Sequence, residues 1–401
     1  MERTKIRLGA TTRRDLLKGA AAVSLAGGFA MPAIAQAAPL KVGFMLPYTG
    51  TYAKLGKFID EGFRLKVEML GGKLGGRAIE YVQVDDESEP AKGTDNMNRL
   101  VGREKVDVVV GTVHSGVAMA MAKVAKDTST LLIVPNAGAN DVTRAMCAPN
   151  IWRTSFSNWQ PCFPMGKVMY DAGHRNVMTI TWRYAAGQED VEALKESFVK
   201  LGGKVTEELY LPFPQVEFQA LITQIAQKKP DAVFAFFAGG GAVKFVKDYA
   251  AAGLKTSIPL YGPGFLTDGT LQAQGADAEG MKTTLHYADD LDNPANKAFL
   301  TAFKAKVKDD GDVYAVQGFD AAALLGIGLD AVKGDFAAKE KLYAAMGAAK
   351  IDSPRGPISF SKANNVVQNI YLREVKGGLN RYVSIAHADL ADPGQGCKLQ
   401  S

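Results

Sequence analysis

One pattern limits what this chain can become: a short apolar run followed by a helical stretch, repeated, with the whole series then begun again. Lys41 to Leu46 reads as a strand running into a Pro/Gly/Thr loop at 47–51. Helices at about 57–70, 90–104 and 116–126 then alternate with strands at 79–84, 106–110 and 131–134. Val108, Val109 and Val110 are consecutive valines, as expected of a parallel strand buried on both faces. The second series has helices at 159–172, 189–201, 219–228 and 243–252 between strands at 177–182, 205–211, 232–237 and 258–261. Such alternation reads as βαβ units in a parallel sheet.

The remaining third is predicted as helices at 294–308, 315–333 and 337–346, then strands at 358–360, 367–375 and 382–385, with Gly377-Gly378 as a hairpin turn. Two such series sharing a closing segment predict an α/β fold of two lobes, each a parallel-sheet α/β sandwich. Three crossover segments are expected near 154–158, 284–288 and 352–356. One lobe would hold 39–156 and 287–352, the other 157–286 and 353–401. Ligands of open α/β sheets bind beyond the carboxyl ends of the strands, so the loops there face a cleft between the lobes.

The N-terminus carries an address. Thr12-Arg13-Arg14-Asp15-Leu16-Leu17-Lys18 is a twin-arginine motif, followed by an uncharged run to Ala38 that ends in small-x-small sites at Ala33-Ile34-Ala35 and Ala35-Gln36-Ala37. Basic head, apolar middle and small-residue exit make residues 1–38 an export signal, with a mature start near Gln36 or Ala38. Gly27-Gly28 and Pro32 make the run a poor spanning helix. The expected destination is the periplasm by the twin-arginine route. Six basic and two acidic residues in this stretch hold a net +4, which leaves about +1 of the chain's +5 for the rest. Nothing then suggests a nucleic-acid surface.

Apolar residues at 47% and charged ones at 22% are ordinary for a globular chain, so two domains with real cores are affordable in length. Cysteine is sparse, at 147, 162 and 397. Cys147–Cys162 is a candidate disulfide, because both flank the first expected crossover and the periplasm permits one. His114, His174, His286 and His387 are far apart, and no Cys/His spacing suits a metal. No cofactor is expected.

At the predicted loops the chain resembles the periplasmic substrate-binding proteins of ABC importers, in particular the leucine/isoleucine/valine-binding family. The likeness rests on Val42-Gly43-Phe44-Met45-Leu46-Pro47-Tyr48-Thr49-Gly50, Asp85-Asp86, Val109-Val110-Gly111-Thr112-Val113-His114-Ser115-Gly116 and Ile133-Val134-Pro135-Asn136-Ala137-Gly138-Ala139-Asn140. Trp152-Arg153-Thr154-Ser155-Phe156, Tyr184-Ala185-Ala186-Gly187 and Arg355-Gly356-Pro357-Ile358-Ser359-Phe360 continue it in order. The resemblance implies a type I two-lobed binding protein that acts as a monomer, with an inner-membrane permease as partner.

In that family a serine opening the helix after the third strand holds the ligand carboxylate; Ser115 stands there, with His114 beside it. The residues alone allow the same, because a helix N-terminus and a hydroxyl both favour an anion, while a helix cap is the plainer role for such a serine. The loop after the fourth strand, with Asn136, Ala137 and Gly138, offers backbone N–H groups, Gly138 replacing the family's hydroxyl. Tyr48, Tyr52, Leu55, Phe156, Ser157, Asn158, Trp159, Tyr184 and Phe237 are further cleft candidates, while Trp182 and Phe236 read as core.

The resemblance also implies an acid shortly after a Gly-Pro, to pair with an amino-acid ligand's ammonium. Here Gly264 fills that position beside Phe265, with Asp268 four residues late. An unpaired buried ammonium costs several kcal/mol. A small aromatic carboxylate such as a benzoate fits better than an amino acid, while branched-chain amino acids or amides and a receptor-facing sensor role stand as alternatives. An enzyme is disfavoured. Ser115 and His114 are adjacent without a G-x-S-x-G elbow, and Gly239-Gly240-Gly241 lacks the Lys-Ser/Thr of a phosphate loop.

Overall fold

The computed structural model describes residues 38–400. The export-signal reading falls almost wholly on residues 1–37, outside the described residues. Fifteen strands are present among those described. The first six are β1 (Leu40–Leu46), β2 (Lys73–Leu74), β3 (Arg77–Asp85), β4 (Val108–Gly111), β5 (Leu131–Val134) and β6 (Ile151–Arg153). They form one sheet in the order β2-β3-β1-β4-β5-β6, parallel except for the short β2–β3 hairpin.

The second sheet contains β7 (Asn176–Trp182), β8 (Lys204–Leu211), β9 (Ala232–Phe236), β10 (Leu260–Pro263) and β11 (Lys282–Leu285), then β12 (Ile351–Ser353), β13 (Gly356–Phe360), β14 (Val366–Lys376) and β15 (Leu379–Leu390). Its parallel part runs β8-β7-β9-β10-β11, and β14 adds to β11 antiparallel. The β14–β15 hairpin turns at Gly377 and Gly378, both at positive φ (63° and 75°), where only glycine is unstrained. Buried strands β4, β5 and β9 are apolar throughout, as a sheet covered on both faces requires.

The helices that cover the sheets are α1 (Ala53–Met69), α2 (Pro90–Asn98), α3 (Ser115–Thr128), α4 (Trp159–Asp171), α5 (Ala185–Lys200), α6 (Gln219–Lys228) and α7 (Gly239–Ala251), then α8 (Pro294–Val307), α9 (Val313–Ala331) and α10 (Lys339–Gly347). Gly239 to Gly241, read from sequence as a turn, is the first turn of α7. Helix α9 lies directly on α1: a Cβ at Gly62 would strike the Ala315 carbonyl, and one at Gly318 that of Ile59. The segment after β11 therefore packs on the first sheet's side before the chain returns at β12.

Arg355, fully buried, ties the chain passages together. Its guanidinium bonds the carbonyls of Thr154 and Ser155, the Gln368 side chain (2.6 Å) and, as an ion pair at 2.9 Å, Asp320 of α9. Losing that anchor would leave the Thr154 carbonyl unpaired and the buried Asp320 carboxylate without its cation.

The expected Cys147–Cys162 bridge is wrong. Cys147 pairs with Cys397, 250 residues away and 5.5 Å between Cα atoms, and Cys162 is a free buried thiol. The physical reason is that Cys162 lies on the face of α4 that packs against Phe198, Leu194 and Val177, while the C-terminal tail folds back beside Cys147. Among the described residues no helix is long and apolar enough to cross a membrane.

Candidate ligand-binding site

Both parallel sheets have the same reversal of strand order. In the first, β3 and β4 flank β1; in the second, β8 and β9 flank β7. Connections leave in opposite directions at such a point and open a crevice at the strands' carboxyl ends. The loops after β1 and β4 meet those after β7 and β9. Tyr52 Oη lies 3.1 Å from Tyr184 Oη, the Gly240 N–H donates to the Thr51 carbonyl, and a Cβ at Gly239 would strike that same carbonyl. Between them lies a slot of ≈ 20 Å³ measured to the centre of a water-sized sphere, room for about one water. Its walls must part to admit a ring.

Tyr52, Leu55, Val113, Asn136, Phe156 and Asn158 line the slot from the first sheet's loops and the first passage, and Tyr184, Phe236, Ala238 and Phe265 from the second's. Tyr314, at the start of α9, completes it. Asp85 and Asp86 hold the first loops in place. Asp85 accepts from Tyr48 N (2.9 Å) and Thr49 Oγ1 (2.6 Å), and Asp86 from Ser88 N and Thr112 Oγ1.

Leu55, Asn136, Phe156, Tyr184 and Phe265 thus come together as slot residues, while His114 and Ser115 stand one contact behind. His114, not Ser115, caps α3, its Nδ1 accepting from Gly116 N at 3.1 Å. Its ring stacks on Tyr184 at 4.4 Å, and burial pushes its pKa down to about 4, so the imidazole is neutral at pH 7. Ser115 Oγ accepts from Asn158 Nδ2 at 3.4 Å, which leaves its own proton free to donate to an anion. Asn136 Nδ2 donates to Gln317 Oε1 (2.7 Å), and Gln317 meets His286 Nε2 at 3.1 Å.

Six predicted residues lie elsewhere. The Ser157 N–H donates to Gln160 Oε1 (2.8 Å) and Trp159 Nε1 to Glu196 (2.7 Å). The Tyr48 hydroxyl turns to Asp60 (3.0 Å), and the Ala137 N–H is used by the Thr112 carbonyl. Gly138 acts through its lack of a side chain: a Cβ there would collide with Asn158 Oδ1 and Phe156. Phe237 and Phe236 exchange their expected roles. Successive residues at a strand end point to opposite sides, so Phe236 faces the slot and Phe237 packs with Phe218, Phe245 and Trp182 at 4.8–5.1 Å. Val113, Ala238 and Tyr314 were not legible as site residues. Strand parity was a usable signal for Phe236, but no local pattern marks Tyr314.

The acid question has a structural answer. Asp268 and Arg373 are both fully buried and paired bidentately, Nη2 to Oδ2 at 2.6 Å and Nη1 to Oδ1 at 3.2 Å. The guanidinium also takes Thr283 Oγ1 and the Tyr287 carbonyl. A Cβ at Gly264 would run into Arg373 Nη2 and Asp268 Oδ2, so this pair occupies the space beside that glycine. Asp190 lies near Tyr52 and Tyr184, and Glu189 is a further nearby acid. It accepts from Asn158 Nδ2 (2.7 Å) and Asn140 N (2.9 Å), and burial raises its pKa to about 7.

Two α/β sheets closed over a slot at facing switch points define a two-lobed small-molecule binding protein. The family model for periplasmic binding protein matches residues 39–379, and the chain belongs to that family. Its members and relatives here are solute-binding proteins rather than enzymes. The chain is 31% identical to the Leu/Ile/Val-binding protein homolog 6 of Brucella melitensis, over 85% of this chain and 88% of that one. A solute-binding protein of an ABC transporter from R. palustris, in complex with benzoate, is 54% identical with a TM-score of 0.88, covering 90% of this chain and 99% of that one. Another, from Rhodopseudomonas palustris BisB5 with 3,4-dihydroxybenzoic acid, is 32% identical with a TM-score of 0.84, covering 89% and 99%.

Proposed function

We propose that this protein captures a small aromatic carboxylate of the benzoate or hydroxybenzoate type in its slot and delivers it to an inner-membrane ABC permease. The observation that carries the reading is the sealed Asp268–Arg373 pair. It removes the acid that an amino-acid ammonium needs, while Ser115 at the α3 N-terminus keeps a free donor for an anion. Phe156 and Phe265, 4.6 Å apart between ring centroids, with Tyr184 and Phe236, supply flat walls. Each ring pair would add about 0.5–1.5 kcal/mol beyond area burial. The benzoate and dihydroxybenzoate complexes of the two similar structures support the same class. Residues 39–156 with 287–352 would move as one lobe and the rest as the other, a ligand touching both favouring the closed state. The protein would act as a monomer in the periplasm, exported by the twin-arginine route.

A branched-chain amino acid is the second reading, favoured by Glu189, an acid beside the slot that makes no salt bridge. The test is calorimetry on protein refolded free of carried-over ligand, titrated with benzoate, 4-hydroxybenzoate and leucine. Heat from the benzoates with none from leucine is expected. Micromolar or tighter leucine binding with no heat from benzoates would restore the amino-acid reading.

A further inference from the structure

Of the side-chain polar atoms buried in the slot's walls, one has no hydrogen-bond partner among the described residues: the Tyr314 hydroxyl. The residue is 1% exposed. It stands on the first turn of α9, where Asp312 caps the helix through Tyr314 N (2.9 Å) and Ala315 N (3.1 Å), so the backbone that carries the ring is held in place. Leaving a buried hydroxyl unpaired carries the full penalty of taking it out of water, a cost that a ligand group able to meet it would remove.

Two other phenols line the slot, one from each side. Tyr52 and Tyr184 are hydrogen-bonded to each other, and only one of the two protons is needed for that bond. Asp190 lies near Tyr52 and Tyr184, and Asp268 and Asp312 near Tyr314, but none of them is hydrogen-bonded to a phenol, and the donors suited to an anion, Ser115 and the α3 N-terminus, belong to a separate element. The slot therefore has two sets of polar groups of different chemistry, the phenols and the anion donors, which meet at the His114–Tyr184 stack. An unsubstituted benzoate satisfies only one of them.

We propose that Tyr314 is a specificity-determining residue whose hydroxyl pairs with a ring hydroxyl of the ligand, so that the preferred ligand is a hydroxybenzoate rather than benzoate. The inference rests on the aromatic-acid reading above and narrows it. Tyr314 exchanges a hydrogen bond with the ring hydroxyl, Tyr52 and Tyr184 complete that hydroxyl's surroundings, and the carboxylate stays with Ser115.

The experiment is calorimetry of benzoate, 3-hydroxybenzoate, 4-hydroxybenzoate and leucine against the full protein and Tyr314→Phe, with thermal melts to show that the variant is folded. The wild type should bind one hydroxybenzoate at least ~10-fold more tightly than benzoate, as one hydrogen bond is worth. Tyr314→Phe should shrink that preference to about 3-fold or less while benzoate affinity holds within about 3-fold. Equal or tighter binding of benzoate by the wild type overturns this inference alone, as does a variant that weakens benzoate and hydroxybenzoate equally. Leucine binding with no heat from any benzoate overturns the reading beneath it.

Discussion

The two walls of the slot handle charge differently. On the first sheet's side the polar groups are few and uncharged: a serine proton free to donate, a histidine held neutral by burial, and a helix N-terminus. On the second sheet's side the wall is aromatic, and the acid behind Phe265 is spent on a buried arginine. One wall can accept a negative charge, while the acids of the other are paired with arginine or pushed toward their neutral form by burial. A binding cleft is thus selective as much by what it has neutralised as by what it presents.

That contrast can be broken by freeing the acid. Arg373→Met should leave Asp268 buried and unpaired and lower unfolding free energy by about 3–5 kcal/mol, with most of it recovered when Asp268→Asn is added. Urea melts of the single and double variants check it. A single variant as stable as wild type would mean that Asp268 does not depend on Arg373, and the second wall would regain an available acid.

Glu189 tests whether the acid that bridges the two walls is charged. Its raised pKa, about 7 against 4.5, comes from burial, so its stability contribution is full below about pH 4.5 and lost as pH rises through 7. Glu189→Gln keeps an oxygen to accept from Asn158 and Asn140 but does not titrate. The stability of wild type relative to the variant should therefore fall by roughly 2–3 kcal/mol between pH 4.5 and 8. Parallel curves across that range would indicate an ordinary carboxylate, charged at pH 7 and ready for an ammonium.

Ser115→Ala sharpens the anion side. It should weaken binding of an aromatic acid by roughly 1.5–3 kcal/mol, the range for a hydrogen bond to a charged group, with little change in melting temperature because His114 keeps the helix cap. Unchanged affinity would move the carboxylate to another part of the slot.

Much of the fold was legible because backbone periodicity is a local property. The strand at 131–134 and the helix at 219–228 match their predicted bounds, and the α/β class with mostly parallel sheets follows from alternation alone. Strands β2, β6, β11 and β12 were missed as strands; each is two to four residues long and pairs only because a neighbouring strand is present. Within the site, Leu55 and Asn136 were placed by the loops after predicted strands, Phe156 by the first crossover, and Tyr184 and Phe265 by the family resemblance. Phe236 and Phe237 were interchanged because both are aromatic and only the strand's orientation separates them.

By itself the sequence determined the alternation of elements, the loops that carry the site, and the absence of an acid at Gly264. Tertiary structure alone decided what stands in that acid's place, since Asp268 and Arg373 are 105 residues apart and their pairing depends on β14 lying beside β11. It likewise chose Cys397 over Cys162 for Cys147, and brought Tyr314 from a distant helix into the slot. Periodicity reports which face of an element is buried. Which partner waits at that face is a long-range fact, set by how the sheets and helices pack.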